Sequence, residues 1–275
     1  IFVLITLISF TLLGIVSDIK SNFSPNLRLI IQSILIILFV IISDLKIINT
    51  RIFLLDQLLS HSMINYFFVS FCLLILINGT NFIDGVNTNV IGYYLIISFL
   101  ITKYSIYENL GLNYLNWNFW VMSLLIVYFF NFFKKLFLGD SGSFILAFIY
   151  GVFLIEFYYV SKNISPFFII SILWYPCYEM LFSIIRKKFQ KKSPLKPDTD
   201  HLHQLLLGFL MKKKFIIIKK YTNSAAATLI NLYNFFAIFL CFAQQNNSIF
   251  QISLIFFNIF IYTFTYYFLF KSIKS

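Results

Sequence analysis

The sequence predicts an all-α fold, a polytopic bundle of transmembrane helices, on three observations. Of 275 residues 60% are hydrophobic, 21% aromatic and only 11% charged, more apolar surface than one water-soluble globule can hide. Apolar stretches able to cross a hydrocarbon core of about 30 Å, at roughly 20 helical residues each, recur along the whole chain. Runs such as 65–77 are apolar on every side, whereas the strands of a barrel would alternate polar and apolar positions over about ten residues.

About nine crossings follow in order. The first, at roughly 1–16, opens Ile-Phe-Val-Leu without a starting Met and is barely long enough to span. N-terminal helices upstream of it are therefore expected to be missing; a cleaved signal peptide is the alternative, but it would show a basic segment and a small-residue cleavage site. Ser24-Pro25, an N-cap residue followed by Pro at the first helical position, opens the second crossing at 26–43. The third, 62–78, runs into the polar passage Asn78-Gly79-Thr80-Asn81-Phe82-Ile83-Asp84-Gly85, where Gly85 frees the backbone to turn. The fourth and fifth fall at 88–102 and 117–133. The sixth, 143–160, follows Phe137-Leu138-Gly139-Asp140-Ser141-Gly142-Ser143, and the seventh, 166–184, leads into a basic cytoplasmic loop at 185–223. Crossings at 224–243 and 249–270 close a single integral-membrane domain over 1–275. Cys72, Cys177 and Cys241 lie in separate apolar runs and read as buried small hydrophobes, with no disulfide or zinc spacing.

Alternating the loops puts 17–25, 79–87, 134–142, 185–223 and the C-terminus on one side. That side carries seventeen of the 21 Lys and Arg: Lys20, Arg28, Lys134, Lys135, eleven between Arg186 and Lys220, Lys271 and Lys274. Lys46, Arg51, Lys103 and Lys162 fall on the other. The bias assigns the first side to the cytoplasm. Five of the ten acidic residues (Asp18, Asp84, Asp140, Asp198, Asp200) and two of the three histidines share it. The basic stretch reads as a topology signal with attraction to anionic lipid head groups, or as an electropositive collar that collects phosphorylated substrates; the two readings are compatible.

Carboxylates, amides and imidazoles beside lipid are costly and call for a job. Asn78, Asn81 and Asp84 are three apart, sweeping about 120° of a helix end, and can bind a polar ligand; a helix-terminating polar cluster is the plain alternative, and Asn87 extends the run. Asp140 stands between two glycines that let a ligand approach, at a helix start whose N–H groups suit phosphate. A lone carboxylate there suits magnesium, which takes one or two carboxylates with substrate phosphates and water; an N-capping Asp or Ser is the alternative. His201 and His203, one residue apart, cannot share a helix face as an i, i+4 zinc pair does. With Asp198 and Asp200 beside them they read as contacts to phosphate or as orienting partners for a carboxylate. Glu156 and Glu179, inside helices, await partners that spacing does not name. His61 stands alone and is left out of the site.

These residues resemble the polyprenyl-phosphate N-acetylhexosamine-1-phosphate transferases (glycosyltransferase family 4), which include the phospho-muramoyl-pentapeptide translocase of cell-wall synthesis. The likeness covers most of the chain in four ordered motifs: Gly14-Ile15-Val16-Ser17-Asp18 with Ser24-Pro25-Asn26-Leu27-Arg28-Leu29; Asn78 to Asn87; Phe137 to Ser143; and Pro197-Asp198-Thr199-Asp200-His201-Leu202-His203-Gln204-Leu205-Leu206. The resemblance implies transfer of a sugar-1-phosphate from a UDP-sugar to membrane-bound polyprenyl phosphate, with Mg2+, releasing UMP. It implies Asp18, Asp84 and Asp140 as catalytic residues, with Asp140 holding the metal. Asn78, Asn81 and Asn87 would line the substrate site, Phe137 would stack on uracil, and His201 and His203 would contact the donor phosphates. It places the protein in a bacterial inner (plasma) membrane with the active site facing the cytoplasm.

Two departures qualify the likeness. The family's paired aspartates begin here with Ser17, leaving only Asp18, which weakens any requirement for the first as a base; a phosphate monoester is already largely ionised near neutral pH. Gln204 stands where relatives often carry another His. The Pro-Asp-x-x-His-Leu-His form looks like the branch that initiates polysaccharide or O-antigen chains, with a simple UDP-N-acetylhexosamine as donor. Membrane lipid is the other expected partner, a homodimer is an open arrangement, and no nucleic acid is expected. An altered or inactive homologue and a polytopic transporter are the rival readings; a transporter would put its polar groups near the bilayer midplane, whereas here they sit at the ends of the apolar runs.

Overall fold

The computed structural model describes residues 2–20, 23–104, 106, 111, 114–161, 163–193, 198–213 and 221–274. Among them the regular structure is helical: α1 (Phe2–Ile19), α2 (Pro25–Ile42), α3 (Phe53–Leu59), α4 (Ser62–Ile83), α5 (Asn89–Lys103), α6 (Tyr114–Phe132), α7 (Gly139–Val160), α8 (Pro166–Ile172), α9 (Trp174–Phe189), α10 (Leu202–Lys213), α11 (Thr222–Ala243) and α12 (Ser248–Lys274). All nine apolar stretches read from the sequence are helical. Six helices, α1, α2, α4, α7, α11 and α12, are long and apolar enough to cross a membrane, and the bent pair α8 and α9 makes a seventh. The other two expected crossings fall on the 15-residue α5, a shorter apolar helix, and on the 19-residue α6. Among the described residues six or seven spans are thus long and apolar enough, against about nine expected from the sequence. The molecule is a polytopic helical membrane protein, and side chains such as Leu4, Phe67, Phe71, Phe256 and Phe264 are exposed on its outer faces, as lipid contact requires.

Two ends differ from the sequence reading in a way that builds the site. Helix α4 runs on to Ile83, and α7 starts at Gly139, so both polar motifs are helix ends. Ser24 does stand at the N-cap of α2 with Pro25 following, but its hydroxyl makes no capping bond.

Helices α1, α2 and α9 pack around α4 and α7. Phe10 of α1 and Phe39 of α2 both meet Phe148 of α7, at 5.3 and 4.8 Å between ring centroids. A Cβ at Gly14 would come within 2.3 Å of the Ser141 backbone, so only glycine lets α1 approach α7 this closely. On the far flank α5 lies along α11 and α6, with Tyr94 stacked on Tyr150 at 4.5 Å and bonded to Thr80 at 2.7 Å.

The seventh crossing bends by 75° between α8 and α9. Pro176 has no N–H to give to the Ile172 carbonyl one turn back, which opens the helix at that point. The Tyr93 hydroxyl donates to Ile172 O at 2.5 Å instead, so the freed carbonyl stays paired inside the bundle.

One end of the bundle is tied by Arg51, whose guanidinium donates to Asn246 O, Ser248 Oγ, Asn163 O and Ile164 O. It joins three loops, near 44–61, 161–165 and 244–248, that the charge bias put on one side. The polar motifs meet at the other end.

Candidate active site

Asp140, second residue of α7, is the focus. Gly139 before it has φ +66°, a left-handed conformation that glycine adopts without penalty. Asp140 Oδ2 accepts from Ser17 Oγ of α1 at 2.6 Å and from an Arg28 nitrogen of α2 at 2.7 Å. Its Oδ1 accepts from Asn81 Nδ2 of α4 at 2.6 Å. Four helices thus converge on one carboxylate. Asp18 Oδ1 accepts from the Asp140 backbone N–H at 3.1 Å, so the start of α7 is capped from α1, where the positive end of the helix favours an anion. Ser143 is buried and bonds back to Asp140 O; neither it nor Asp140 caps its own helix.

Asp84 caps the C-terminal end of α4, and among the described residues its carboxylate has no hydrogen-bond donor. Burial, then the neighbouring charges of Asp140 and Asp18, push its pKa well above the ordinary carboxylate range. The charges of Asp18 and Asp140 thus reach Asp84, while the cation bonded at this cluster, Arg28, pairs with Asp140, an arrangement short of positive charge. Among the described residues no group of three or more His, Cys, Asp or Glu forms a ready metal cage. The donor set fits a hard divalent ion held by one or two carboxylates and completed by phosphate oxygens and water, and it does not fit an all-protein site.

The remaining sequence-predicted residues divide. Asn78 lies one three-residue step before Asn81 and, among the described residues, makes no hydrogen bond to Asp140; its amide donates to Gln32 Oε1 of α2 at 3.1 Å and to Leu74 O. Asn87 anchors the turn after Asp84. Its backbone N–H donates to Asn223 Oδ1 at 2.6 Å and its amide to Asn131 O at 3.0 Å, while Thr88, at φ +70°, is held by Asn131 and Asn231. Phe137 is 75% exposed just before α7.

The histidine segment docks on the end of α4. His201 lies 5.3 Å from the Phe82 ring and 5.7 Å from His203, nearly parallel to it. His201 Nδ1 is 2.9 Å from Glu179 Oε1 of α9, and its Nε2 is 3.2 Å from Asp198 Oδ1. Although burial opposes the charged form, the bonds to Asp198 and Glu179 dominate and raise its pKa to about 9. Burial is likewise the largest influence on Asp198, yet His201 and Arg186 hold that carboxyl well below its usual range. His203 is fully buried, neither ring nitrogen has a hydrogen-bond partner among the described residues, and burial lowers its pKa to about 4. A Cβ on Gly85 would fall 1.9 Å from His203 Nε2, so the glycine makes room for the imidazole. Pro197 and the basic residues at 214–220 lie outside the described residues.

Several participants were not singled out from sequence. Glu179, whose partner the sequence left open, binds His201 and the Tyr262 hydroxyl at 2.6 Å. Glu156 is exposed on α7. Arg28 and Ser17 were visible only as motif letters. Arg186 pairs with Asp198 at 2.9 Å, and Lys187 stands 5.7 Å over the Phe82 ring; as the last basic residues of an apolar helix they read as topology signals. The one sequence clue was their position next to a carboxylate- and histidine-bearing loop.

The family model for glycosyl transferase family 4 matches residues 1–158, a stretch that holds Ser17, Asp18, Arg28, Asn81, Asp84 and Asp140. The chain is similar to the undecaprenyl-phosphate alpha-N-acetylglucosaminyl 1-phosphate transferase of Thermotoga maritima, 28% identical over 143 residues, 52% of this chain and 43% of that protein. It is similar to the protein of the same name from Salmonella typhi, 23% identical over 210 residues, 73% of this chain and 57% of that one. A probable undecaprenyl-phosphate N-acetylglucosaminyl 1-phosphate transferase of Bacillus subtilis is 30% identical over 105 residues, 37% of this chain and 29% of that protein. The chain thus spans about half the length, or less, of the curated relatives it matches.

Proposed function

The chain belongs to glycosyl transferase family 4, and on that premise we propose that it transfers an N-acetylhexosamine-1-phosphate from a UDP-sugar to polyprenyl phosphate, releasing UMP. The observation that carries this reading is the convergence of three separate motifs on the start of α7: Asp18 bonds the Asp140 backbone, Asn81 and Arg28 hold the Asp140 carboxylate, and Asp84 lies within reach of the charges of Asp18 and Asp140.

In this reading an oxygen of the acceptor phosphate attacks the sugar-bearing phosphorus of the donor, and the bond to the UMP oxygen breaks with its electron pair. Such transfer between polyanions is governed by positioning and charge neutralisation. Asp140, with Asp84 beside it, would hold Mg2+, which when bound supplies charge neutralisation at the diphosphate oxygens. Ser17, Arg28 and Asn81 fix the Asp140 carboxylate in one orientation. Asp18, seated on the N-terminus of α7, holds that helix end in register. The acceptor needs no strong base, since a phosphate monoester is largely ionised near pH 7, which accommodates Ser17 in place of an aspartate. Phe137 offers a face to the uracil ring. The positive-charge bias favours a cytoplasmic site at the bacterial plasma membrane, where soluble donor and lipid acceptor can meet.

The test is direct. Full chain in nanodiscs, given undecaprenyl phosphate, Mg2+ and UDP-N-acetylglucosamine or UDP-N-acetylgalactosamine, should release UMP and yield a lipid product whose mass reports the sugar. No product with any UDP-sugar would defeat the proposal.

A further inference from the structure

The only carboxylate buried to 1% exposure among the described residues, Glu179, lies on α9, about six residues past the break at Leu173. Among the described residues it has two bonds: Oε1 to His201 Nδ1 at 2.9 Å and Oε2 from the Tyr262 hydroxyl of α12 at 2.6 Å. His201 spends its other nitrogen on Asp198, which in turn engages Arg186 at 2.9 Å and lies 3.9 Å from Lys187. With Nδ1 bonded to Glu179 and Nε2 in a 3.2 Å ion-pair contact with Asp198, both ring nitrogens of His201 face protein carboxylates. His201 thereby holds the segment that presses His203 onto Gly85, one residue from Asp84.

We propose that Glu179 is a positioning residue for the donor site, acting through His201, which it clamps together with Asp198 so that the segment 198–203 and the basic end of α9 stay docked on the end of α4. This rests on the proposed sugar-phosphate transfer. Glu179 of α9 and Asp198 of its own segment meet the His201 nitrogens, and Phe82 of α4 and His203 of α10 lie beside its ring. One step further out, Tyr262 of α12 bonds Glu179, Arg186 and Lys187 of α9 pair with Asp198, Arg186 lies 3.6 Å from Asp200, and Tyr266 of α12 packs on Arg186. Two carboxylates on one imidazole favour the imidazolium, a double donor that bridges them. Replacing Glu179 by an isosteric amide keeps the volume and removes the charge.

The experiment is a double-mutant cycle on the full chain in nanodiscs, with E179Q, H201Q and the double variant. KM for the UDP-sugar should rise about tenfold in each single variant with kcat within about threefold, and the double variant should be no worse than either single one. Y262F, which removes the other bond of Glu179, should leave KM within about twofold. Additive losses in the double variant, or an equal KM rise in Y262F, would mean that Glu179 acts as general packing and would overturn the proposal. If E179Q fails to fold, D198N cuts the same clamp from its loop side and carries the same expectation against H201Q. Thermal melts of the same four proteins read the Glu179–His201 coupling without turnover: non-additive melting shifts with no product from wild type would sink the transfer reading while keeping the clamp, and additive shifts would sink the clamp alone.

Discussion

Ser17 donates a 2.6 Å hydrogen bond to Asp140 Oδ2 across 123 residues of sequence, and Arg28 reaches the same oxygen at 2.7 Å. Where an aspartate would add a fourth negative charge to Asp18, Asp84 and Asp140, this chain places a hydroxyl that donates. The substitution makes residue 17 an orienting partner of Asp140.

It follows that Asp140 and Ser17 should differ sharply in their weight. D140N removes the charge that the other groups converge on and should lower UMP release by about 100-fold or more. S17A leaves the Arg28 and Asn81 bonds in place and removes one hydrogen bond to a charged group, about 1.5 kcal/mol at the low end of such bonds, so its loss should stay near tenfold. Equal losses in steady-state UMP assays would contradict this ranking.

Phe137 is 75% exposed just before α7. If it stacks on the uracil base, F137A gives up about 1–3 kcal/mol of stacking. The donor KM should rise about tenfold with kcat little changed and with no shift in melting temperature. A fall in kcat at constant KM would place Phe137 elsewhere in the reaction.

The two histidines impose opposite pH slopes on stability. His201 has its folded pKa raised to about 9 from an ordinary 6.5, so its contribution is full below pH 6.5 and is lost as pH rises through about 9. His203 has its folded pKa lowered to about 4 from the same ordinary value, so its contribution is present above pH 6.5 and is lost as pH falls toward 4. Melting temperature measured from pH 5 to 10 should peak near 6.5. H201Q should flatten the alkaline limb alone, and a flat wild-type profile above pH 6.5 would exclude the charged clamp.

At the bend in the seventh crossing, Y93F leaves the Ile172 carbonyl buried without a donor and should cost about 1–3 kcal/mol. P176A restores the missing N–H, so Y93F/P176A should melt above Y93F. Denaturation in mild detergent checks the order. A double variant less stable than Y93F would show that the bend is set by packing and not by the proline.

Composition and hydropathy made the helical membrane fold legible, because a lipid-facing helix must be apolar all round and a backbone in hydrocarbon must satisfy itself. The charge bias likewise sorted the loops, and the structure brings Asp18, Asn81, Asp84 and Asp140 to one end as that sorting required. Spacing also placed the motifs on helix ends, though it stopped α4 at 78 and started α7 at 143, since polar residues lower hydropathy whether or not the helix continues. Partners were out of reach. Periodicity reports which face a residue occupies on its own helix, and it says nothing about which helix stands opposite.

The chain alone determined that costly polar groups gather at one face of a membrane bundle, because each of those groups carries its expense wherever the helix packs. Only the tertiary structure decided that Asn78 turns to Gln32, that Asn87 anchors a turn, that Asp18 caps α7 and that Glu179 holds His201. Each of these pairings joins segments far apart in sequence, and their geometry is set by how the helices that carry or flank them cross, a property of the packed assembly and not of any one segment.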